Sequence, residues 1–376
     1  MIARFDGDHL PKRIWTGPGC RARLGEALDR LAVGRVLAVA NGSLLRETRL
    51  LDDVQMAAGD RIVGLVATGA HGATEAAMLD AAGQAVAADA QAVLSIGGGA
   101  AHDIAKAVAL MARSGTDIAP FLAGSTTMLP LFEPLPLLAM PSTFSAAETV
   151  PGGAVILATG GKTIFGHPAM QPQYVFLDGE IVATTPRATL AASGLNAVHH
   201  CTEALYSIGR HPMSDAWATF ALARLMRLLP RLAPGPGFAS PHDCQMLVEA
   251  SAMSGLAYGV SGLGVGHAIC HSLAGRFAMS HGAANAVIVP HSAAFNKASA
   301  PEAFAHMEAA IRCNDLVAAI SALGQAMGTP CTLRGIGLSR DSFDQIAADV
   351  LADPVTATNP RPVDRAAVHE ILTAAW

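Results

Sequence analysis

Apolar and polar positions follow two different regimes along the chain. In the first half, short apolar runs alternate with helical stretches. Arg35–Asn41 (RVLAVAN) is rich in β-formers and stops at Asn-Gly, a turn signal. Arg61–Ala67 (RIVGLVA) is a second such run, and Thr74–Ala90 reads as an Ala-rich amphipathic helix. Ala92–Gly97 (AVLSIG) is a continuous apolar strand followed by glycines and a helix over Ala101–Arg113. Leu135–Pro141 and Tyr174–Asp178 complete the strand series. Apolar strands alternating with helices predict a mostly parallel sheet covered on both faces. Near Thr185-Pro186 the character changes, with Pro186 suited to a first helical position. Beyond it run long Ala/Leu-rich helical patterns, interrupted by a Pro/Gly-rich loop at Pro230–Pro241, with no further strand series. The pattern predicts an α/β N-terminal domain (1–183) and an all-α C-terminal domain (184–376).

Composition agrees with this picture. The chain has 376 residues, 51% of them hydrophobic and 15% charged, which excludes a disordered polymer. Net charge is −5, and the absence of a basic run or stripe gives no reason to expect nucleic acid. No apolar run reaches the roughly 18 residues that span a bilayer, and Met128–Met140 is broken by Glu133 and three prolines. Acids interrupt the N-terminal stretch, so it does not read as a signal peptide. Six scattered cysteines without a CxxC pair suit reduced thiols in a cytoplasmic protein.

Two glycine- or hydroxyl-rich turns follow apolar strands. In SIGGGAAHDIAK (Ser95–Lys106), three glycines allow close backbone approach, and the helix behind them presents N–H groups and a positive dipole end suited to phosphate. A plain strand-to-helix turn needs the same glycines. The spacing matches neither GxGxxG nor the Walker pattern, so an ordinary Rossmann fingerprint and a P-loop NTPase are disfavoured. PSTFSAAET (Pro141–Thr149) sets small residues and hydroxyls where a cofactor would touch them, or simply forms a capped turn.

The chain has 14 histidines, several of them clustered. Asn196 and His200 are four apart, as are His267 and His271, with His281 ten residues on; i and i+4 share a helix face. Two helices can therefore direct this set to one cleft, to bind a transition metal or to donate protons. HAICH superficially resembles HExxH, but Ala268 replaces the glutamate base of a zinc protease. His199 is expected about 100° away from His200 and structural, as is His291. Glu203, one turn beyond His200, is expected either to orient an imidazole or to cap a solvent face.

Together these segments resemble the iron-containing alcohol dehydrogenases. GGGxxxDxAK, PSTFSAAE, GLNAVHHCTEALYS and GHAICHSLAGRF…SHGAANAVIVPH occur in that family's order, and GPGCRARLGEAL matches its opening. The asparagine in GLNA, the HxxCHxLxG pattern and the tail TNPRPVDRAAVHEILTAAW are similar to the maleylacetate reductase branch, as is a histidine at position 71. The resemblance implies a dehydroquinate synthase-like fold, with an N-terminal dinucleotide-binding α/β domain, a helical C-terminal domain and the site in the cleft between them.

By resemblance, Gly97, Gly98, Gly99 and Asp103 line the dinucleotide phosphates, and Ser142, Thr143 and Phe144 flank the cofactor. Asn41 stands where the family has an aspartate that selects NAD, so either NAD(H) or NADP(H) is accommodated. Metal-binding relatives use an aspartate and three histidines, which align to Asn196, His200, His267 and His281; His271 aligns near the nicotinamide and substrate. A neutral amide at 196 weakens a dication site, in keeping with a branch that works without metal. His200, His267, His271 and His281 are then the catalytic candidates, supplying electrophilic assistance and protons.

The implied reaction is reduction of maleylacetate to 3-oxoadipate in aromatic catabolism by a cytoplasmic homodimer. The substrate class is a dicarboxylate, keto acid or aldehyde. Arg276, Arg361 and His71 are candidate carboxylate anchors, though a salt bridge explains Arg276 more simply and Arg361 suits a structural role equally well. Alanines at 100, 146 and 147 depart from the family's serine and glycine, which leaves room for a different substrate. The alternatives are a metal-dependent alcohol or polyol dehydrogenase of the same superfamily and a dehydroquinate-synthase-like lyase. Only four lysines disfavour the lyase, and a non-catalytic binding protein would leave the histidines unused.

Overall fold

The computed structural model describes residues 10–47, 49–69, 72–128, 132–167, 169–235, 237 and 239–376. Among them, contacts divide the chain into two compact units: Asp6–Thr185 with Ser240–Glu249, and Pro186–Ala239 with Ala250–Trp376.

The first unit is built on a six-stranded parallel sheet. Its strands are β1 (Ile14–Thr16), β2 (Val36–Asn41), β3 (Ile62–Thr68), β4 (Ala92–Gly97), β5 (Leu137–Pro141) and, after a separate antiparallel hairpin of β6 (Gly152–Ile156) and β7 (Lys162–Gly166), β8 (Tyr174–Leu177). The order is β1-β8-β5-β4-β2-β3. Every residue of the central strands β4 and β5 is buried, which is why they read as continuous apolar runs. Helices α1 (Leu24–Arg30), α2 (Gly42–Glu47), α3 (Leu50–Ala58), α4 (Glu75–Ala87), α5 (Gly99–Ser114) and the short α6 (Gly179–Ala183) complete the unit. The expected helix at Thr74–Ala90 begins one residue later, because Thr74 is its N-cap and accepts from the Ala77 N–H. The three-residue β1 is too short to show a pattern, and the hairpin was not expected.

In the helical unit, α7 (Arg187–Tyr206) is the central post. Fifteen of its twenty residues are buried, as expected of a helix surrounded by others. Pro186 stands just before this helix rather than first in it. The chain continues through α8 (Pro212–Leu228), α9 (Pro241–Ser261), α10 (Val265–Arg276), α11 (His281–Lys297), α12 (Pro301–Ile311), α13 (Leu316–Ala326), α14 (Phe343–Ala352) and α15 (Arg365–Ala375), of which α8, α11 and α12 pack directly on α7. The first turns of α9 belong to the α/β unit, where Gln245 accepts from the Gly179 N–H and donates to the Leu177 carbonyl. Within the expected loop at 230–241, Leu229–Leu232 forms a short tight turn, and Pro236 and Phe238 lie outside the described residues. Among the described residues, no helix is long and apolar enough to cross a membrane.

Candidate functional site

The histidine cluster forms inside the helical unit, with His267 at its hub. α7 supplies Asn196, His199, His200 and Glu203, α10 supplies His267 and His271, and α11 opens with His281. The His267 ring lies 4.2 Å from that of His199, 4.8 Å from that of His200 and 6.3 Å from that of His281, centre to centre. His271 stacks on His281 at 6.0 Å. The set expected from i, i+4 spacing is therefore brought together.

Two contacts fix the His267 ring. Nδ1 lies 2.6 Å from Glu203 Oε2, and Nε2 lies 3.3 Å from Asn196 Oδ1. Glu203 is fully buried, so the solvent-capping alternative is excluded. Its carboxylate also accepts from the backbone N–H groups of Gly264 (2.7 Å) and Gly266 (3.0 Å), and from the Tyr206 hydroxyl (3.3 Å). Gly264 precedes α10 and offers no side-chain cap, so a carboxylate from another helix caps α10 instead. A Cβ at Gly266 would collide with His199 and Ser292, which explains the glycine.

Electrostatics follow from this bonding. Burial pushes Glu203 up, but His267 and His199 outweigh it and hold the carboxyl well below its ordinary range. Burial and His199 push His267 down to about 4 against the pull of Glu203. At neutral pH the pair is thus a carboxylate accepting from a neutral imidazole at Nδ1–H. The lone pair of Nε2 then faces Asn196, whose amide end can donate to it. Once Nε2 is protonated, the amide oxygen accepts instead. An aspartate could only accept.

Burial and the neighbouring imidazoles of His267 and His199 also lower His200, whose ring lies tilted against Tyr258 at 4.3 Å and whose buried Nδ1 has no hydrogen-bond partner among the described residues. His271 is anchored through Nδ1 to Asp353 at 2.7 Å. His199, expected apart from the cluster, belongs to it. Its Nδ1 contacts Asn285 Oδ1 at 2.6 Å and its Nε2 contacts Ser292 Oγ at 3.2 Å. Tyr258, Asp353, Asn285 and Ser292 had no sequence signal, since each reaches its histidine from a distant part of the chain.

Arg276 and Arg361 do not serve as free anchors. Arg276 forms a two-pronged pair with Asp349, both contacts at 2.8 Å, and Arg361 pairs with Glu370 at 2.9 and 3.2 Å. His71 lies outside the described residues.

A cation finds donors in two overlapping sets. Ligand atoms of His199, Glu203 and His267 lie within 4.8 Å of one another, a spacing that admits an ion. Their bonding does not: at 2.6 Å the His267–Glu203 contact shares a proton, and the carboxylate's remaining positions are filled by N–H and O–H donors. Asn196, His200, His267 and His281 offer only neutral donors, with no carboxylate to balance a dication. Without a carboxylate this set holds a dication less strongly than it would with an aspartate at 196, and its three imidazoles are still zinc-type ligands.

In the α/β unit, the triple-glycine bend joins β4 to α5. A Cβ at Gly97 (φ 153°) would fall inside the Asn41 side chain. Asn41 Oδ1 in turn accepts from the Gly98 N–H at 3.3 Å, so the amide braces the bend. A Cβ at Gly99 would meet nothing closer than Ser145 at 3.7 Å, so packing alone does not demand that glycine and the helix start is open to a ligand. Ser142 N–H donates to the Gly97 carbonyl at 2.8 Å, and Thr143 lies beside Gly98, joining the two turns. Ser142, Thr143 and Phe144 are all buried, whereas Ser145 is half-buried beside Gly99. Asp103, in the second turn of α5, lies beside Gly153 of the hairpin.

Known proteins agree with this architecture. Residues 11–179 match the family model "Iron-containing alcohol dehydrogenase", and residues 190–376 match "Fe-containing alcohol dehydrogenase family, C-terminal". The chain is 30% identical over 373 residues to maleylacetate reductase 1 of Rhodococcus opacus, covering 97% of this chain and 94% of that one. Its fold is similar to those of maleylacetate reductase from Agrobacterium tumefaciens (TM-score 0.82, 24% identity, 100% and 98% coverage) and a 1,3-propanediol oxidoreductase (0.91, 24%, 100% of both chains). The chain belongs to the iron-containing alcohol dehydrogenase family and is an oxidoreductase.

Proposed function

We propose that this chain is a nicotinamide-dependent reductase of the maleylacetate type, forming 3-oxoadipate in aromatic catabolism as a cytoplasmic homodimer. The observation that carries the reading is His267 held between the Glu203 carboxylate and the neutral amide of Asn196. Full-length similarity to a maleylacetate reductase supports the substrate class. The open helix start behind Gly97–Gly99 and the hydroxyls of Ser142 and Thr143 fit a dinucleotide, and Asn41 places no charge against either NADH or NADPH.

A bound reduced nicotinamide supplies the hydride. Hydride addition to the conjugated double bond leaves negative charge on the substrate carbonyl oxygen, and hydrogen-bond donors aimed at that oxygen lower the barrier. Glu203 holds His267 Nδ1, so any proton the ring takes up sits on Nε2. Burial keeps the ring neutral at neutral pH, so His267 takes up that proton only in passing and hands it on, a proton relay rather than a fixed cation. Asn196 turns its amide to suit either protonation state. His271, braced by Asp353, keeps its outer nitrogen available for proton transfer, and His200 and His281 complete the donor set.

One observation favours a second reading. Arg276 and Arg361 are each closed on a carboxylate, so neither is free to anchor a dianion, which suits an alcohol or aldehyde substrate. A substrate panel with both cofactors decides between the two. Oxidation of NADH or NADPH by maleylacetate at least tenfold faster than by neutral aldehydes supports the reductase; the reverse order supports the alcohol dehydrogenase.

A further inference from the structure

A second set of buried polar groups lies inside the α/β unit, and none of the roles above uses it. Lys106, in the second turn of α5, has a fully buried side chain. Its ammonium donates to the Ala147 carbonyl at 2.6 Å and to the Gly152 carbonyl at 2.5 Å. These carbonyls belong to the end of the Pro141–Thr149 loop and the start of the β6–β7 hairpin. One side chain thus ties both to the helix that begins at the glycine bend. Glu148, between those carbonyls, is also fully buried, and among the described residues no other residue hydrogen-bonds its oxygens. His102, one turn before Lys106, contacts Ser95 Oγ through Nδ1 at 2.7 Å and turns Nε2 toward Glu148 at 4.0 Å. Burial pushes Lys106 down to about 8 while Asp103 and Glu148 pull it up.

A buried ammonium is costly to place. Packing alone would be served as well by an apolar side chain of similar length, whereas Lys106 delivers two charge-assisted hydrogen bonds to the Ala147 and Gly152 carbonyls. The geometry points to Lys106 as a positioning residue for the cofactor: by clamping Ala147 and Gly152 to α5, it sets the height of Ser142 and Thr143 over the glycine bend. Lys106 touches neither cofactor nor substrate in this role. The inference rests on the reading of the bend as a dinucleotide site.

The test compares wild type with Lys106→Met, using NADH and NADPH fluorescence for the dissociation constant, steady-state kinetics, and thermal unfolding as a check of the fold. The inference predicts that the dissociation constant and KM for the nucleotide rise tenfold or more, while kcat at saturating nucleotide falls less than threefold. A folded Lys106→Met that binds nucleotide as wild type does overturns it. A wild type that binds neither nucleotide overturns the dinucleotide reading instead. Should Lys106→Met not fold, hydrogen–deuterium exchange of wild type decides. Nucleotide is expected to protect 147–152 together with 97–106, and protection of 97–106 alone contradicts the clamp.

Discussion

Glu203 and Glu148 are both fully buried glutamates, one in each unit, and their environments drive them in opposite directions. Glu203 accepts from two backbone N–H groups, a tyrosine hydroxyl and an imidazole, and stays a carboxylate. Among the described residues no other residue hydrogen-bonds either Glu148 oxygen, and burial pushes it up to about 7 against the pull of its own backbone N–H and of Lys106. The difference teaches that donors, rather than depth, decide whether a buried acid carries charge. Glu203 can therefore serve as a fixed brace for His267, whereas Glu148 exchanges its proton within the neutral range.

Substitutions can break or sharpen this contrast. The largest effect is expected at the group that Glu203 braces. His267→Ala should lower kcat by about 100-fold or more with the fold retained, since a positioned acid contributes about 10²–10⁴; circular dichroism beside steady-state rates checks it, and retained turnover would remove His267 from the mechanism. Glu203→Gln comes next. The amide keeps one acceptor but loses the charge, so kcat should fall about 10–100-fold, as for other groups that orient a catalytic imidazole. Denaturant unfolding should also show a loss of about 1–3 kcal/mol, because the N–H groups of Gly264 and Gly266 lose their anion.

Glu148→Gln should act in the other direction. The folded protein holds the Glu148 proton up to about pH 7, whereas the unfolded chain releases it near its ordinary 4.5. Wild-type stability therefore falls as pH rises through that window, and the variant lacks this slope. By pH 8 the variant should be more stable than wild type by about 3 kcal/mol, and near pH 4 by almost nothing. His102, which burial lowers to about 3, contributes the opposite slope in both proteins and cancels in the difference. Equal pH profiles in urea titrations would contradict the assignment. The smallest effect belongs to Ser95→Ala, which removes one buried contact to His102 and should cost about 1 kcal/mol.

The two regions also differ in how far the sequence revealed them. β4 and the bend were legible because a fully buried strand reads as an unbroken apolar run and glycines mark its end. Asn196, His200, His267 and His271 were legible from helical spacing, and His281 from its place ten residues beyond and the family resemblance. What surrounds them was not. Glu203 was recognisable as a possible brace, but its capping of α10 depends on how α7 and α10 pack. Asp353 reaches His271 across 82 residues of chain. The 100° rule placed His199 away from His200 but could not foresee that α11 brings Asn285 and Ser292 to its other side. The clamp at Lys106 was hidden for the same reason, since its acceptors are backbone carbonyls and leave no residue signature.

The central claim is that the histidine set around His267, itself held between Glu203 and Asn196, supports turnover without a metal cation. Turnover of NADH or NADPH with maleylacetate by protein dialysed against EDTA, with its metal content measured in the same sample, tests this most directly. Undiminished kcat at well below one metal per chain is the predicted result. Activity that is lost on dialysis and returns only with added iron or zinc would contradict it.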